Sequence, residues 1–173
     1  HRAGWGVAFD VDGSPHITRS PTPAVSDQLF HRVSGVVASE TVLAHVRKAT
    51  QGNLTVLNCH PFQYGRWVMA HNGDIPNFAA KRAELLAEIA PRLRRFVLGD
   101  TDSEVIFLLF LSELSANGAL GSRFGIDAVV PALRATVAKV RAICDDADNR
   151  ALLTIILTDG TTMAAVQGGK ELY

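Results

Sequence analysis

Alternation of hydrophobic and polar positions near the start of the chain predicts a β-hairpin. The large apolar residues that alternate with small or polar ones are Trp5, Val7, Phe9 and Val11. This period of two is typical of a half-buried strand. Asp12-Gly13 supplies a tight turn after it, and residues 16–19 form the returning strand.

The same patterns predict further strands and four helices along the chain. Residues 41–50 and 66–71 read as strands, and residues 152–157 and 161–166 as a second hairpin around 158–160. Helical periodicity or start signals mark residues 25–35, 76–91, 102–117 and 127–144. The third of these helices begins at Thr101-x-x-Glu104, which matches a capping box. Antiparallel hairpins and separate helical blocks indicate an α+β fold.

Composition narrows the class of protein. The 173 residues suit a single domain, and equal numbers of basic and acidic residues leave no excess positive charge for nucleic acid or a membrane surface. Two cysteines are too few for a disulfide framework, which favours a reducing compartment, the cytoplasm. We leave self-association open.

Three short polar segments interrupt the apolar pattern at the ends of predicted elements. They are residues 44–52, 71–74 and 99–104. Together they offer a cation, an amide beside a glycine and an anion, which is a set able to hold a zwitterionic amino acid. They contain no obvious nucleophile.

Each segment has a structural and a functional interpretation. Arg47, with Thr50 beyond it, suits either an internal salt bridge or bidentate binding of a substrate carboxylate. Asn72-Gly73 suits either a hairpin turn or an oxyanion hole made by the Asn72 amide and the Gly73 N–H. Asp102 suits either a helix N-terminus or a substrate ammonium.

The histidines suggest a weaker alternative. His45, His60 and His71 could form a metal site with Cys59, although their spacing matches no compact zinc signature. Satisfied histidines of the core or of a cleft are the favoured interpretation. Ser103 reads as a residue of the first helical turn.

Taken in order, these segments resemble the class II (N-terminal nucleophile) glutamine amidotransferases, in particular their small stand-alone members. The segments that carry the resemblance are residues 2–9, 46–52, 58–62, 70–75, 99–104 and 157–160. The resemblance implies a four-layer αββα sandwich of two antiparallel sheets between helix layers. It also implies that no metal or organic cofactor is used.

The resemblance further implies a role for each candidate residue. Arg47 and Thr50 would hold the α-carboxylate of glutamine, Asp102 its α-ammonium, and Asn72 and Gly73 the oxyanion of the tetrahedral intermediate. The family's nucleophile is a cysteine at the mature N-terminus, whose α-amino group acts as the base. His1 stands first here, so we expect residues 1–173 to be one domain that lacks its nucleophile segment and is inactive alone. We also expect its first strand to lack a neighbour at one edge.

Three hypotheses follow, in decreasing order of preference. The first is an amidotransferase domain that hydrolyses the side-chain amide of glutamine or the amide bond of a γ-glutamyl compound. The second is a catalytically dead sensor that binds glutamine. The third is a metal-dependent amidohydrolase that uses His45, His60 and His71.

Overall fold

The computed structural model describes residues 3–48 and 53–170, which form seven β-strands and five α-helices. The elements in chain order are β1 Ala3–Val11, β2 Ser14–Ser20, α1 Gln28–Ser34, β3 Val42–Lys48, β4 Phe62–Tyr64, β5 Trp67–Asp74, α2 Phe78–Glu88, α3 Pro91–Arg94, α4 Asp102–Leu114, α5 Ile126–Cys144, β6 Leu152–Thr158 and β7 Met163–Val166. Within these residues, no helix combines the length and apolar character needed to cross a bilayer.

The first sheet contains three strands in the order β2-β1-β3, all antiparallel. Its hairpin turns at Asp12 and Gly13, whose φ angles of 52° and 80° are those of a type I′ turn. Strand β1 lies in the middle and pairs on both sides, so the expectation that it lacks a neighbour is wrong. The strand predicted at residues 41–50 pairs with it instead.

The second sheet has the order β4-β5-β6-β7 and is also antiparallel throughout. The predicted late hairpin of β6 and β7 is confirmed. Strand β5 continues to Asp74, beyond the predicted end at His71. Asn72 and Gly73 therefore lie inside a strand, paired with Thr154 and Leu153, and the hairpin-turn interpretation of this dipeptide is wrong.

The two sheets pack face to face, with helices on both outer sides. A small core of Ala8, Leu43, Val68 and Ala70 separates them. On the far side of the second sheet, α2, α4 and α5 bury a much larger core. On the far side of the first sheet, Phe30 of α1 packs against Trp5, with ring centroids 5.0 Å apart. The α+β class and the four-layer αββα order are confirmed.

Helix α4 is the centre of the larger core. Every residue from Asp102 to Leu111 is buried, which explains the uninterrupted apolar run in this part of the sequence. Thr101 caps the helix by accepting the Glu104 N–H at 3.3 Å, so half of the predicted capping box is present. The Glu104 carboxylate bonds the N–H groups of Leu98 and Gly99 instead, at 3.0 and 2.8 Å.

The first predicted helix differs from its expected form. Its helical part is limited to α1, which Asp27 caps by accepting the Leu29 N–H at 2.9 Å. Val25 lies in a separate short 3₁₀ turn and is 88 % exposed. The apolar spacing of Val25 and Leu29 therefore does not mark a buried face, because Trp5 and Phe30 make the contact between this layer and the sheet.

Candidate active site

A cleft of about 750 Å³ opens where β3 of the first sheet faces β5 and β6 of the second. The N-terminus of α4 closes one side of it. Four of the sequence-predicted residues, Arg47, Asn72, Gly73 and Asp102, line this one cleft although they come from three separate elements. Thr50 lies outside the described residues.

Arg47 reaches the cleft because of strand alternation. Leu43, His45 and Arg47 share the face of β3 that points towards the second sheet, while Val42 and Val46 point away and are largely exposed. The Arg47 side chain is only 4 % exposed. A guanidinium held in so little solvent provides a strong and directional site for a planar anion.

Asn72 and Gly73 point to opposite faces of β5. Asn72 shares the cleft face with Val68 and Ala70 and is exposed there. Gly73 shares the other face with His71, and a Cβ on Gly73 would overlap the Leu152 carbonyl oxygen and lie 2.5 Å from His71 Nε2. Glycine is thus required at this position by the packing of β5 against its neighbours, whatever the cleft binds.

Asp102 is the first residue of α4, but its carboxylate turns back towards the end of β5. Oδ2 accepts the Ile75 N–H at 2.9 Å, and Oδ1 accepts the Ser103 N–H at 2.8 Å. The side chain is 5 % exposed and lines the cleft. Since Thr101 already caps the helix, Asp102 is not needed as the cap, and its carboxylate is held at the wall of the cleft.

His71 connects strand β5, which carries Asn72 and Gly73, to the N-terminus of α4, which carries Asp102. Its Nε2 lies 2.9 Å from the Leu152 carbonyl oxygen, which can only accept, so Nε2 carries the proton. Its Nδ1 lies 2.9 Å from Ser103 Oγ, and Ser103 Oγ lies 3.2 Å from Asp102 Oδ1. The favoured interpretation of His71 as a satisfied histidine is confirmed, whereas the contacts of Ser103 could not be foreseen.

His45 and His60 form the floor of the cleft. Their rings pack against each other with centroids 4.1 Å apart and planes tilted by 34°, and the rings of His60 and Phe62 meet edge to face. Burial, together with the neighbouring histidines, lowers the pKa of His45 to about 4 and the pKa of His60 well below its usual value. Among the described residues His60 has a hydrogen-bond partner at neither ring nitrogen, so it is not the satisfied histidine that was expected.

These contacts give no support to the metal-dependent alternative. Both nitrogens of His71 are engaged by Ser103 and Leu152, and the tilted rings of His45 and His60 pack against each other. In the part of the chain that the structure describes, no three His, Cys, Asp or Glu side chains are grouped as a metal site would need.

Asn58 has a supporting role beside the site that the sequence did not predict. Its amide nitrogen donates to the Asp100 carboxylate and to the Asn53 carbonyl oxygen, and its Oδ1 accepts the Asp100 N–H at 3.1 Å. A side chain on Gly99 would overlap Asn58 Oδ1. Asn58 thereby fixes the loop that leads into Thr101 and Asp102. The sequence signals were its position in a turn-rich segment and at the start of residues 58–62, which belong to the family resemblance.

Neither cysteine has the surroundings of a nucleophile. Cys59 is 1 % exposed and its Sγ points at the carbonyl oxygens of Ser20 and Thr55, 3.5 and 3.4 Å away. Burial raises the pKa of the Cys59 thiol and of the Cys144 thiol. Both thiols are therefore protonated near neutral pH, and a protonated thiol is a poor nucleophile.

Comparison with known proteins identifies the family of this chain. The profile described as "Glutamine amidotransferases class-II" matches residues 1–173. The probable glutamine amidotransferase DUG3 of Saccharomyces cerevisiae is 34 % identical over 177 residues, which cover 92 % of this chain and 49 % of the yeast protein. The gamma-glutamyl-hercynylcysteine sulfoxide hydrolase of Mycobacterium tuberculosis is 42 % identical over 73 residues, 42 % of this chain and 31 % of that protein.

A solved structure shows the same fold. The glutamine aminotransferase class-II domain protein of Silicibacter pomeroyi superposes with a TM-score of 0.71 and 32 % identity, covering 98 % of this chain and 71 % of that one. The chain spans about half the length of its yeast relative and less of the mycobacterial one. The match over the whole chain and the shared fold show that this protein belongs to the class II glutamine amidotransferases.

Proposed function

We propose that this chain provides the glutamine site of an enzyme that hydrolyses a side-chain amide. The observation that supports this most directly is that Arg47, Asn72, Gly73 and Asp102 line one cleft, with a buried cation and a buried anion on different walls. Arg47, with Thr50, binds the α-carboxylate of the substrate, and Asp102 binds its α-ammonium. Asn72 and Gly73 stabilise the oxyanion.

The proposed reaction uses a cysteine that is not among the 173 residues. Its thiolate attacks the amide carbon, and the negative charge that develops on the oxygen is stabilised by the Asn72 amide and the Gly73 N–H. Collapse of the tetrahedral intermediate breaks the C–N bond, and the proton taken up by the cysteine's α-amino group leaves with the ammonia. Water then hydrolyses the thioester to give glutamate. We accordingly propose that residues 1–173 are one domain whose nucleophile segment precedes His1.

A direct test measures glutamine binding by this chain in a calorimeter. Arg47→Met should weaken binding by roughly tenfold or more, because a charge-assisted hydrogen-bonded pair is lost. Arg92→Met, which removes an exposed arginine of α3, serves as the control and should bind like the wild type. Equal binding by the two variants, or no binding by the wild type, would contradict the proposal.

Ammonia release tests the position of the nucleophile. The 173-residue chain should release none from glutamine, whereas the product of its complete gene should do so through a thioester. Turnover by the chain alone would place a nucleophile within it. If the complete product binds glutamine through Arg47 and Asp102 yet releases nothing, the sensor hypothesis is supported instead.

The mycobacterial relative favours a second candidate substrate class. That protein is named for the hydrolysis of a γ-glutamyl compound, and its match covers 42 % of this chain. The same cleft groups would hold the glutamyl part, and an amine larger than ammonia would leave. Comparing the rates at which the complete gene product releases ammonia from glutamine and the amine from a γ-glutamyl anilide distinguishes the two classes.

A further inference from the structure

The carboxylate of Asp102 has a competitor for its Oδ1 atom. The Ser103 hydroxyl carries one proton and lies within reach of two acceptors, His71 Nδ1 at 2.9 Å and Asp102 Oδ1 at 3.2 Å. It can donate to only one of them at a time. Which acceptor takes this proton decides how many lone pairs of Asp102 remain for a ligand.

The contacts of His71 settle that competition. Because the Leu152 carbonyl oxygen requires a proton on Nε2, the neutral imidazole presents a bare lone pair at Nδ1. His71 and Ser103 are 3 % and 5 % exposed, so water competes little for either group. Among the described contacts the Ser103 hydroxyl is the donor for Nδ1, whereas Asp102 Oδ1 already accepts the Ser103 N–H, so the proton goes to the nearer acceptor, His71 Nδ1.

We propose that His71 is a positioning residue that keeps the Asp102 carboxylate open for the substrate ammonium. By accepting the Ser103 hydroxyl, it leaves Oδ1 with only the Ser103 N–H and Oδ2 with only the Ile75 N–H among the described contacts. Gly73 belongs to the same device, since a side chain there would displace the His71 ring from Leu152. This inference rests on the proposed role of Asp102 and extends it to a residue that does not touch the substrate.

The inference predicts an unusual pattern in a double-mutant cycle. In His71→Leu the Ser103 hydroxyl has lost its acceptor and turns to Asp102 Oδ1, so the carboxylate binds ammonium less well. In Ser103→Ala there is no competing hydroxyl, and ammonium binding is retained. The double variant should then bind ammonium like the wild type, because removing the hydroxyl also removes the cause of the loss.

Two ligands isolate the ammonium contribution. Glutaramate has the carboxylate and the amide of glutamine but no α-ammonium group. The wild-type chain should prefer L-glutamine over glutaramate by roughly tenfold to a hundredfold, the usual effect of one charge-assisted hydrogen bond. His71→Leu should lose most of this preference while its affinity for glutaramate stays close to that of the wild type. His71→Asn, which can place an acceptor where Nδ1 lies, should recover part of it.

The same titrations separate failure of this inference from failure of the proposed function. A wild-type chain that shows no preference, or Asp102→Asn that keeps it, would overturn the ammonium role itself. A second outcome is that the preference for glutamine depends on Asp102, but Ser103→Ala and the double variant lose it as His71→Leu does. In that case His71 acts only by connecting α4 to β5, and the inference is wrong. Ser112→Ala removes a hydroxyl at the far end of α4 that bonds Leu108 and Ala90, and controls for general loosening of that helix.

Discussion

His60 is a buried imidazole without hydrogen-bond partners among the described residues, packed between His45 and Phe62. Burial is the main cause of its lowered pKa, so the folded protein holds it neutral. In the unfolded chain a histidine titrates near pH 6.5. Below that pH the histidine is protonated in the unfolded state but stays neutral in the folded state. The free energy of unfolding therefore falls.

For each such histidine, the free energy of unfolding should fall by about 1.4 kcal/mol for every unit by which the pH is lowered. His45, with a pKa of about 4, lowers the free energy of unfolding in the same way between pH 6.5 and 4. His60→Leu should therefore reduce the slope of unfolding free energy against pH by about 1.4 kcal/mol per pH unit between pH 6 and 4.5. Urea unfolding at a series of pH values measures this slope.

Phe62→Leu is the matched control for His60→Leu. It disturbs the same ring cluster without removing a titratable group, so it should lower stability at every pH and leave the slope unchanged. Burial raises the pKa of Glu104, so this residue affects the slope with the opposite sign. It is present in the wild type and in both variants and does not alter the comparison between them. Equal slopes for the wild type and His60→Leu would contradict the assignment of His60 as a buried neutral base.

For single residues, the sequence identified the right residue types but not their contacts. The family resemblance groups Asn72 and Asp102 with Arg47, and all three line one cleft, whereas the burial of Arg47 follows from the face of β3 on which it lies. Gly73 could be read from sequence only as a turn or a site of close approach. Its actual constraint is the Leu152 carbonyl oxygen, which belongs to a strand much later in the chain and leaves no local signal.

Helix α5 contains a proline where a helix rarely accepts one. Pro131 is exposed, lies in the second turn and cannot donate the hydrogen bond that would reach the Asp127 carbonyl group. Proline costs about 3 kcal/mol relative to alanine inside a helix, and its restriction of the unfolded chain returns at most about 1 kcal/mol. Pro131→Ala should therefore raise the free energy of unfolding by about 2 kcal/mol.

Pro91 offers a control of the same residue type. It occupies the first position of α3, where its fixed φ suits the helix and no hydrogen bond is lost. Pro91→Ala should give no gain, or a loss of up to about 1 kcal/mol. Chemical unfolding of the two variants checks the difference. If Pro131→Ala is no more stable than Pro91→Ala, tertiary packing of α5 outweighs its local helix propensity.

Elements with a strong local signal were predictable, and those defined by partners were not. The β6–β7 hairpin and helices α4 and α5 follow directly from periodicity and start signals. Strand β4 covers only three residues, too few to show a period, and exists because it pairs with β5. The extension of β5 through Asn72 and Gly73 likewise depends on β6, since the dipeptide alone favours a turn.

In the molecule as a whole, the two sheets differ in how much apolar core holds them in place. The second sheet shares a large apolar core with α2, α4 and α5. Between the sheets the described core is limited to Ala8, Leu43, Val68 and Ala70, with Ile17 and Ile156 partly buried beside it. The sequence could not reveal this asymmetry, because it depends on which strands share a sheet. Arg47 thus lies on the less stable side of the cleft, and Asn72 and Asp102 lie on the more stable side.

Local opening should follow the same division, since regions with few buried apolar contacts open at lower free energy. In hydrogen exchange at neutral pH, amides of β1 and β3 should exchange faster than those of β5, β6 and α4. Leu43→Ala should speed exchange in the first sheet and leave the slowest amides of α4 unchanged. Leu109→Ala removes a fully buried side chain of the larger core, and should speed those slowest amides by lowering global stability by about 2–5 kcal/mol. Equal protection of the two sheets, with both variants acting alike, would mean that the cleft walls unfold as one unit and that the small core between them is sufficient to couple them.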